Sequence, residues 1–90
     1  MPKYVIERSV PGAGSAPMES CCDIARRSCA AQEQLGPGIQ WLESFVTQDK
    51  LYCVTYAPDE ETIREHARLG GFPVDAVHEV KRMIDPTMAA

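Results

Sequence analysis

Two apolar segments separated by a short polar turn decide more about the fold of this chain than any other feature. Residues 39–47 and 51–57 are rich in aromatic and aliphatic side chains, and Gln48, Asp49 and Lys50 separate them. Two such runs around a compact polar turn are typical of a β-hairpin. A hairpin alone is marginally stable in water, so the rest of the 90-residue chain must supply elements that cover it.

Helix and strand signals flank the hairpin on both sides. Residues 3–9 alternate between the two faces of a short strand. Residues 17–35 place small and apolar side chains at helical spacing, and Gly36 is suited to end that helix. The inner stripe of this first helix is predicted to consist of Cys21, Ile24, Ala25, Ser28, Ala31 and Leu35.

The segment after the hairpin predicts a second helix and a last strand. Asp59 is the predicted N-cap of this helix, with Ile63, Ala67 and Gly70 on its inner stripe. Residues 76–84 are predicted to form the last strand. The order β-α-β-β-α-β is the signature of an α+β, ferredoxin-like sandwich, which we expect to occupy residues 1–90 as one domain.

Both faces of the predicted hairpin are apolar. Strict alternation would place Trp41 and Phe45 on one face and Leu42 and Val46 on the other. Two helices cover only one face of a four-stranded sheet, and a face that meets water is normally polar. A second apolar face therefore predicts a partner layer, most simply a second copy in a homodimer. Scattered apolar residues on an uncovered face are the alternative.

Charge and hydropathy argue against several partners. The net charge is −4, and the basic pairs Arg26-Arg27 and Lys81-Arg82 do not form a cluster, so we expect no nucleic acid. No run approaches the roughly 18 apolar residues of a membrane span. The N-terminal segment does not resemble a signal peptide, and the expected location is the cytoplasm.

The four cysteines are predicted to be reduced thiols. Three of them, Cys21, Cys22 and Cys29, lie in the first predicted helix. At about 1.5 Å of rise per residue, Cys22 and Cys29 would be about 10 Å apart, too far for a disulfide. Cys53 in the hairpin is interpreted as a small buried hydrophobe.

His66 is the most informative polar residue, because it shares the inner stripe of the second helix. A histidine there needs a hydrogen-bond partner or a metal. Nickel and zinc favour imidazole together with carboxylate ligands, and the candidates are His66, His78, Glu7, Glu43 and Glu79. No pair has a local ligand spacing, so any site must be assembled by the fold. A satisfied core histidine is the alternative, and no catalytic residue is assigned.

Several segments together resemble a known family of small bacterial proteins. They are residues 4–8 with Pro11 and Gly12, Gly36-Pro37 with Trp41, and residues 57–60, 63–67 and 71–73. The family is catalogued as a domain of unknown function and includes a nickel-binding actinobacterial member. The resemblance implies a ferredoxin-like fold, a dimer of the α+β barrel type and, for some members, nickel.

The resemblance carries over to particular residues only in part. It matches His66 to the histidine of the second helix and Glu79 to the acidic residue of the last strand. Relatives that bind nickel are richer in histidine in the first strand and after the second helix, where this chain has Phe72. The family supplies no established enzymatic activity.

The sequence therefore leaves three functional hypotheses. The first is a small nickel-binding homodimer with His66, Glu79 and Glu43 as ligands. The second is a small-molecule-binding or enzymatic α+β barrel with a pocket between sheet and helices, lined by His66. The third is a purely structural interaction module.

Overall fold

Four strands form one antiparallel sheet, and two α-helices lie on one of its faces. The computed structural model describes residues 1–89. The strands are β1 (Lys3–Ser9), β2 (Gln40–Val46), β3 (Lys50–Tyr56) and β4 (Ala76–Glu79), and the helices are α1 (Met18–Leu35) and α2 (Glu60–Gly70). The strand order is β2-β3-β1-β4, with every neighbouring pair antiparallel. The predicted α+β, ferredoxin-like β-α-β-β-α-β fold is confirmed. Ala90, the last residue of the predicted domain, lies outside the described residues.

The two inner strands, β1 and β3, bury alternate side chains beneath the helices. Tyr4, Ile6 and Arg8 of β1 are buried, and they pair with Thr55, Cys53 and Leu51 of β3, which are also buried. We call this surface the helix face and the opposite surface the open face. The open face carries the half-buried side chains of the intervening positions.

Helix α2 fits its sequence prediction closely. The Asp59 carboxylate accepts a hydrogen bond from the backbone N–H of Thr62 at 2.8 Å, which makes Asp59 the N-cap. Gly71 ends the helix with φ of 73°, a left-handed conformation that glycine adopts without strain. Ile63, His66, Ala67 and Gly70 form its buried stripe, as predicted.

Helix α1 is less completely buried than α2. Of its predicted inner stripe, Ser28 and Ala31 are buried, whereas Ile24 and Leu35 are only partly buried against the core. The helix therefore leaves space between itself and the sheet near its first half.

A β-bulge in β2 changes which residues face the helices. The pairing shifts between Trp41 and Glu43, so Leu42 is an extra residue in the strand. Trp41 pairs with Thr55 on the helix face, whereas Phe45 pairs with Tyr52 on the open face. The prediction that Trp41 and Phe45 share a face is therefore wrong, because the inserted residue interrupts the alternation.

The last strand is shorter than predicted and ends at Glu79 instead of residue 84. The backbone N–H of Val80 donates to the carbonyl of Lys3 at 2.7 Å. Lys3 is the first residue of β1, so the chain beyond Val80 has no strand to pair with.

The cysteines agree with the prediction of reduced thiols. All four cysteines are unpaired, and Cys53 is buried. Within residues 1–89, no helix is both long enough and apolar enough to cross a membrane.

Candidate functional site

The three predicted metal ligands lie in different parts of the fold. Glu43 is on β2 and pairs with Val54 on the open face, whereas Glu79 is on β4 and pairs with Tyr4 of the helix face. Strands β2 and β4 are the two edges of the sheet, three strand spacings or about 14 Å apart. A single chain therefore does not bring His66, Glu79 and Glu43 together. Within residues 1–89, no group of three or more His, Cys, Asp or Glu residues could hold a metal ion.

His66 is buried between α1 and α2 and is held by a backbone carbonyl. His66 is only 4% exposed, and its Nε2 lies 3.1 Å from the carbonyl oxygen of Ser28. A carbonyl oxygen can only accept, so Nε2 carries the hydrogen and donates it. This bond joins the two helices.

The protonation of His66 follows from this environment. Burial lowers the pKa of His66 below its ordinary value of 6.5, and the positive charge of Arg8 lowers it further. The Ser28 carbonyl, which favours the protonated ring, opposes this shift only in part. His66 is therefore a neutral imidazole near neutral pH.

Arg8 is a buried cation without an anionic partner. The residue is 4% exposed, and its guanidinium donates to the carbonyl of Pro73 at 2.8 Å and to the Cys53 sulfur at 3.4 Å. It lies over the ring of Phe72, 5.2 Å from the ring centroid. Among residues 1–89, no carboxylate oxygen lies within 4 Å of it. A second cation at His66 would face this uncompensated charge, which disfavours a metal there.

Two adjoining cavities lie between α1 and the sheet. The apolar cavity has a volume of about 280 Å³ and is bounded by α1, by residues 10–13 and by β2 and β3. The polar cavity, of about 20 Å³, is bounded by Arg8, His66, Cys53, Thr55 and other side chains. The walls of both include Ile24, Trp41, Ser44 and Leu51, so the two cavities share one partition.

The open face carries a pair of side chains of the types that bind metal ions. Nε2 of His78 lies 3.5 Å from Oε1 of Glu7. His78 pairs with Val5 of β1, which places it diagonally from Glu7 on the same face. The side chain of His78 is 61% exposed and that of Glu7 is 31% exposed. Both belong to the five candidate ligands of the sequence, and only the strand register brings them together.

Arg8 is the residue that sequence reasoning missed. It follows Tyr4 and Ile6 at two-residue spacing, so the alternation already placed it on their face. The signal was a charged residue in phase with a buried stripe, although arginine is mostly exposed in proteins.

Comparisons with known proteins agree with the geometry of the fold. A family model described as Nickel responsive protein SCO4226-like matches residues 4–80. The crystal structure of SCO4226 from Streptomyces coelicolor A3(2) superimposes with a TM-score of 0.77 at 14% sequence identity, over 91% of this chain and 99% of that one. At this identity the likeness shows a shared fold. No protein of curated function matches the sequence.

Proposed function

The chain belongs to the SCO4226-like family of nickel-responsive proteins, and on that premise we propose that it binds nickel as a homodimer. The observation that carries the proposal is the pair of His78, which is exposed, and Glu7, which is half-buried, on the open face. An imidazole nitrogen and a carboxylate oxygen form a ligand combination that suits nickel. Both residues lie within the part of the chain that the family model matches.

The spacing of the pair is close to that of two neighbouring metal ligands. Two donor atoms at right angles, each about 2.1 Å from an ion, are about 3 Å apart. The observed separation of Nε2 and Oε1 is 3.5 Å. A small rotation of either side chain would therefore allow both to bind one ion. Lys50, whose Nζ lies 3.8 Å from the other Glu7 oxygen, would move away as the ion neutralises the carboxylate.

A single pair supplies too few ligands, and a second copy would supply the rest. Square-planar or tetragonal sites of nitrogen and oxygen ligands are typical of nickel. Two chains related by a two-fold axis near His78 would contribute two imidazoles and two carboxylates. This arrangement requires the open faces of the two copies to meet.

The apolar content of the open face supports such a contact. Val5, Tyr52, Val54 and Tyr56 are half-buried there, and Phe45 is 56% exposed. Contiguous apolar surface of this kind often marks a protein interface. The proposed homodimer would remove these side chains from water and place the two His78 residues on neighbouring surfaces.

Titration of tag-free protein with nickel chloride, followed by calorimetry, tests the proposal. We expect binding in the wild type, and loss of binding in His78→Gln and Glu7→Gln. Glu43→Gln is the matched control, because Glu43 is a carboxylate on the same face but at the far edge of the sheet. It should bind nickel as the wild type does. Light scattering should return twice the 9.9 kDa chain mass.

The same titration tests the ligand set predicted from sequence. If nickel binding survives in His78→Gln but is lost in His66→Gln, Glu79→Gln and Glu43→Gln, the site is the predicted one and the open-face pair is not. Absence of nickel heat in the wild type would refute nickel binding altogether. A monomer at micromolar concentration would refute the homodimer.

A further inference from the structure

We propose that the cleft between α1 and the sheet binds a small monocarboxylic acid. Its apolar body fills the apolar cavity, and its carboxylate enters the polar cavity and pairs with Arg8. This site lies on the helix face and is independent of the proposed nickel site, which lies on the open face.

The apolar cavity is a cleft that opens to solvent, as the 44% exposure of Val46 in its wall shows. Small-molecule sites are concave and lined mostly by apolar side chains. The volume of about 280 Å³ equals about nine water molecules at about 30 Å³ each. Ile24 and Ala25 of α1 bound it on one side and Val46 and Leu51 on the other. The incomplete burial of Ile24 is the direct consequence, because the helix stands above empty space there.

Arg8 indicates the charge of the ligand. A buried cation is normally paired with an anion, since the loss of hydration is otherwise uncompensated. Its partners here, the Pro73 carbonyl and the Cys53 thiol, are neutral acceptors and occupy two of its five N–H donors. Arg8 also lines the polar cavity. A carboxylate there would accept two of the remaining donors in the bidentate geometry that arginine favours.

Neighbouring hydroxyl groups add donors and no negative charge. Thr55 is 4% exposed and lines the polar cavity. The oxygen of Ser44 accepts a hydrogen bond from the Trp41 indole at 2.9 Å, so its own hydrogen can be donated elsewhere. The volume of about 20 Å³ is close to that of a single water site. It suits the oxygens of a carboxylate better than the larger tetrahedron of a phosphate.

The combined volume of the two adjoining cavities sets the size of the ligand. The two cavities adjoin, because both are lined by Ile24, Trp41, Ser44 and Leu51. One ligand can therefore place its carboxylate in the polar cavity and its apolar body, directly attached, in the apolar cavity. A saturated or aromatic acid with about ten non-hydrogen atoms would fill the combined space at ordinary packing density. Octanoate is such a molecule and is the probe that we would use.

Octanoate binding to metal-free wild-type protein can be followed without a label. Trp41 is the single tryptophan and lies in the partition, so its fluorescence should change as the ligand enters. We expect octanoate to bind roughly ten- to a hundredfold more tightly than octanamide, because only the carboxylate pairs with a buried cation. Calorimetry provides the second readout.

Variants locate the carboxylate. Arg8→Met keeps a side chain of similar length and should weaken octanoate binding by the same ten- to hundredfold while leaving octanamide binding unchanged. Arg26→Met is the matched control, because Arg26 is exposed on α1 and pairs with Glu19. Ala25→Phe should abolish binding of both ligands, because its ring would occupy the apolar cavity.

Three results would overturn the proposal. They are equal binding of octanoate and octanamide to the wild type, unchanged octanoate binding in Arg8→Met, and tighter binding of octyl phosphate than of octanoate. The first and third need only wild-type protein, so the proposal can be refuted even if Arg8→Met does not fold. None of these measurements involves nickel, so their outcome is separate from that of the proposed function.

Discussion

Acidification below about pH 6.5 should destabilise this fold through His66. The pKa of His66 is lowered in the folded state, whereas the unfolded chain has an ordinary histidine with a pKa of about 6.5. Above that pH the imidazole ring is neutral in both states, and the contribution of His66 to the free energy of unfolding is fully present. As the pH falls, the unfolded chain takes up a proton first, so the free energy of unfolding decreases until the pH reaches the folded pKa.

The size of this effect has an upper limit. A single group changes the free energy of unfolding by at most about 1.4 kcal/mol per pH unit. Between about pH 6.5 and pH 5 the loss is therefore at most about 2 kcal/mol, a large part of the roughly 5–15 kcal/mol that stabilises a small domain. Asp59, Glu65 and Asp85 also have lowered pKa values. Their contributions are lost only as the pH falls below their ordinary values of 3.8 and 4.5, beneath this window.

Urea denaturation at a series of pH values measures the effect. His66→Ala should lose about 1–3 kcal/mol of stability at neutral pH, because the bond to Ser28 and the buried ring are gone. Its free energy of unfolding should fall less steeply than that of the wild type between about pH 6.5 and pH 5. Ile63→Val provides the control, because it shortens a buried side chain of the same helix and changes no titratable group: it should lower the stability but keep the wild-type slope. An equal slope in the wild type and in His66→Ala would refute the assignment.

Three further outcomes follow from local geometry. Asp59→Ala should lower the stability by about 1 kcal/mol in urea denaturation, because the N-cap bond to Thr62 is lost, whereas Glu61→Ala, on the same exposed turn, should have little effect. Gly14→Ala should cost about 1–3 kcal/mol and lower the melting temperature, because its Cβ would lie 2.7 Å from Cα of Gln48; an unchanged melting temperature would contradict this contact. Denatured protein prepared without reductant and protected from air should contain four reactive thiols; a count of two would indicate a disulfide.

The sequence predicted the elements whose signals are local. The N-cap Asp59 and the stripe of Ile63, Ala67 and Gly70 identify α2 within a single segment, and the structure agrees. The bulge in β2 has no such signal, because Leu42 is neither glycine nor proline and fits the apolar run. Its presence depends on how β2 pairs with β3, which is a property of two strands.

The candidate sites depend even more on long-range geometry. His78 and Glu7 approach each other only through the register of β1 with β4. Helical periodicity identified Ile24 as inward-facing, but it contains no information about the distance between α1 and the sheet, and that distance creates the apolar cavity. Arg8 was in phase with the buried stripe, but the absence of a carboxylate beside it is visible only in three dimensions.

The position of β1 inside the sheet has a consequence for synthesis of the chain. Of the four strands, β1 is made first, yet one of its two partners, β4, is made last. Until residues 76–79 leave the ribosome, the backbone edge that spans Tyr4 to Glu7 has no strand beside it. Unpaired edges can recruit strands from other chains. The nascent protein therefore keeps this edge of β1 unpaired until its shortest strand, β4, is added, and those four residues cover it.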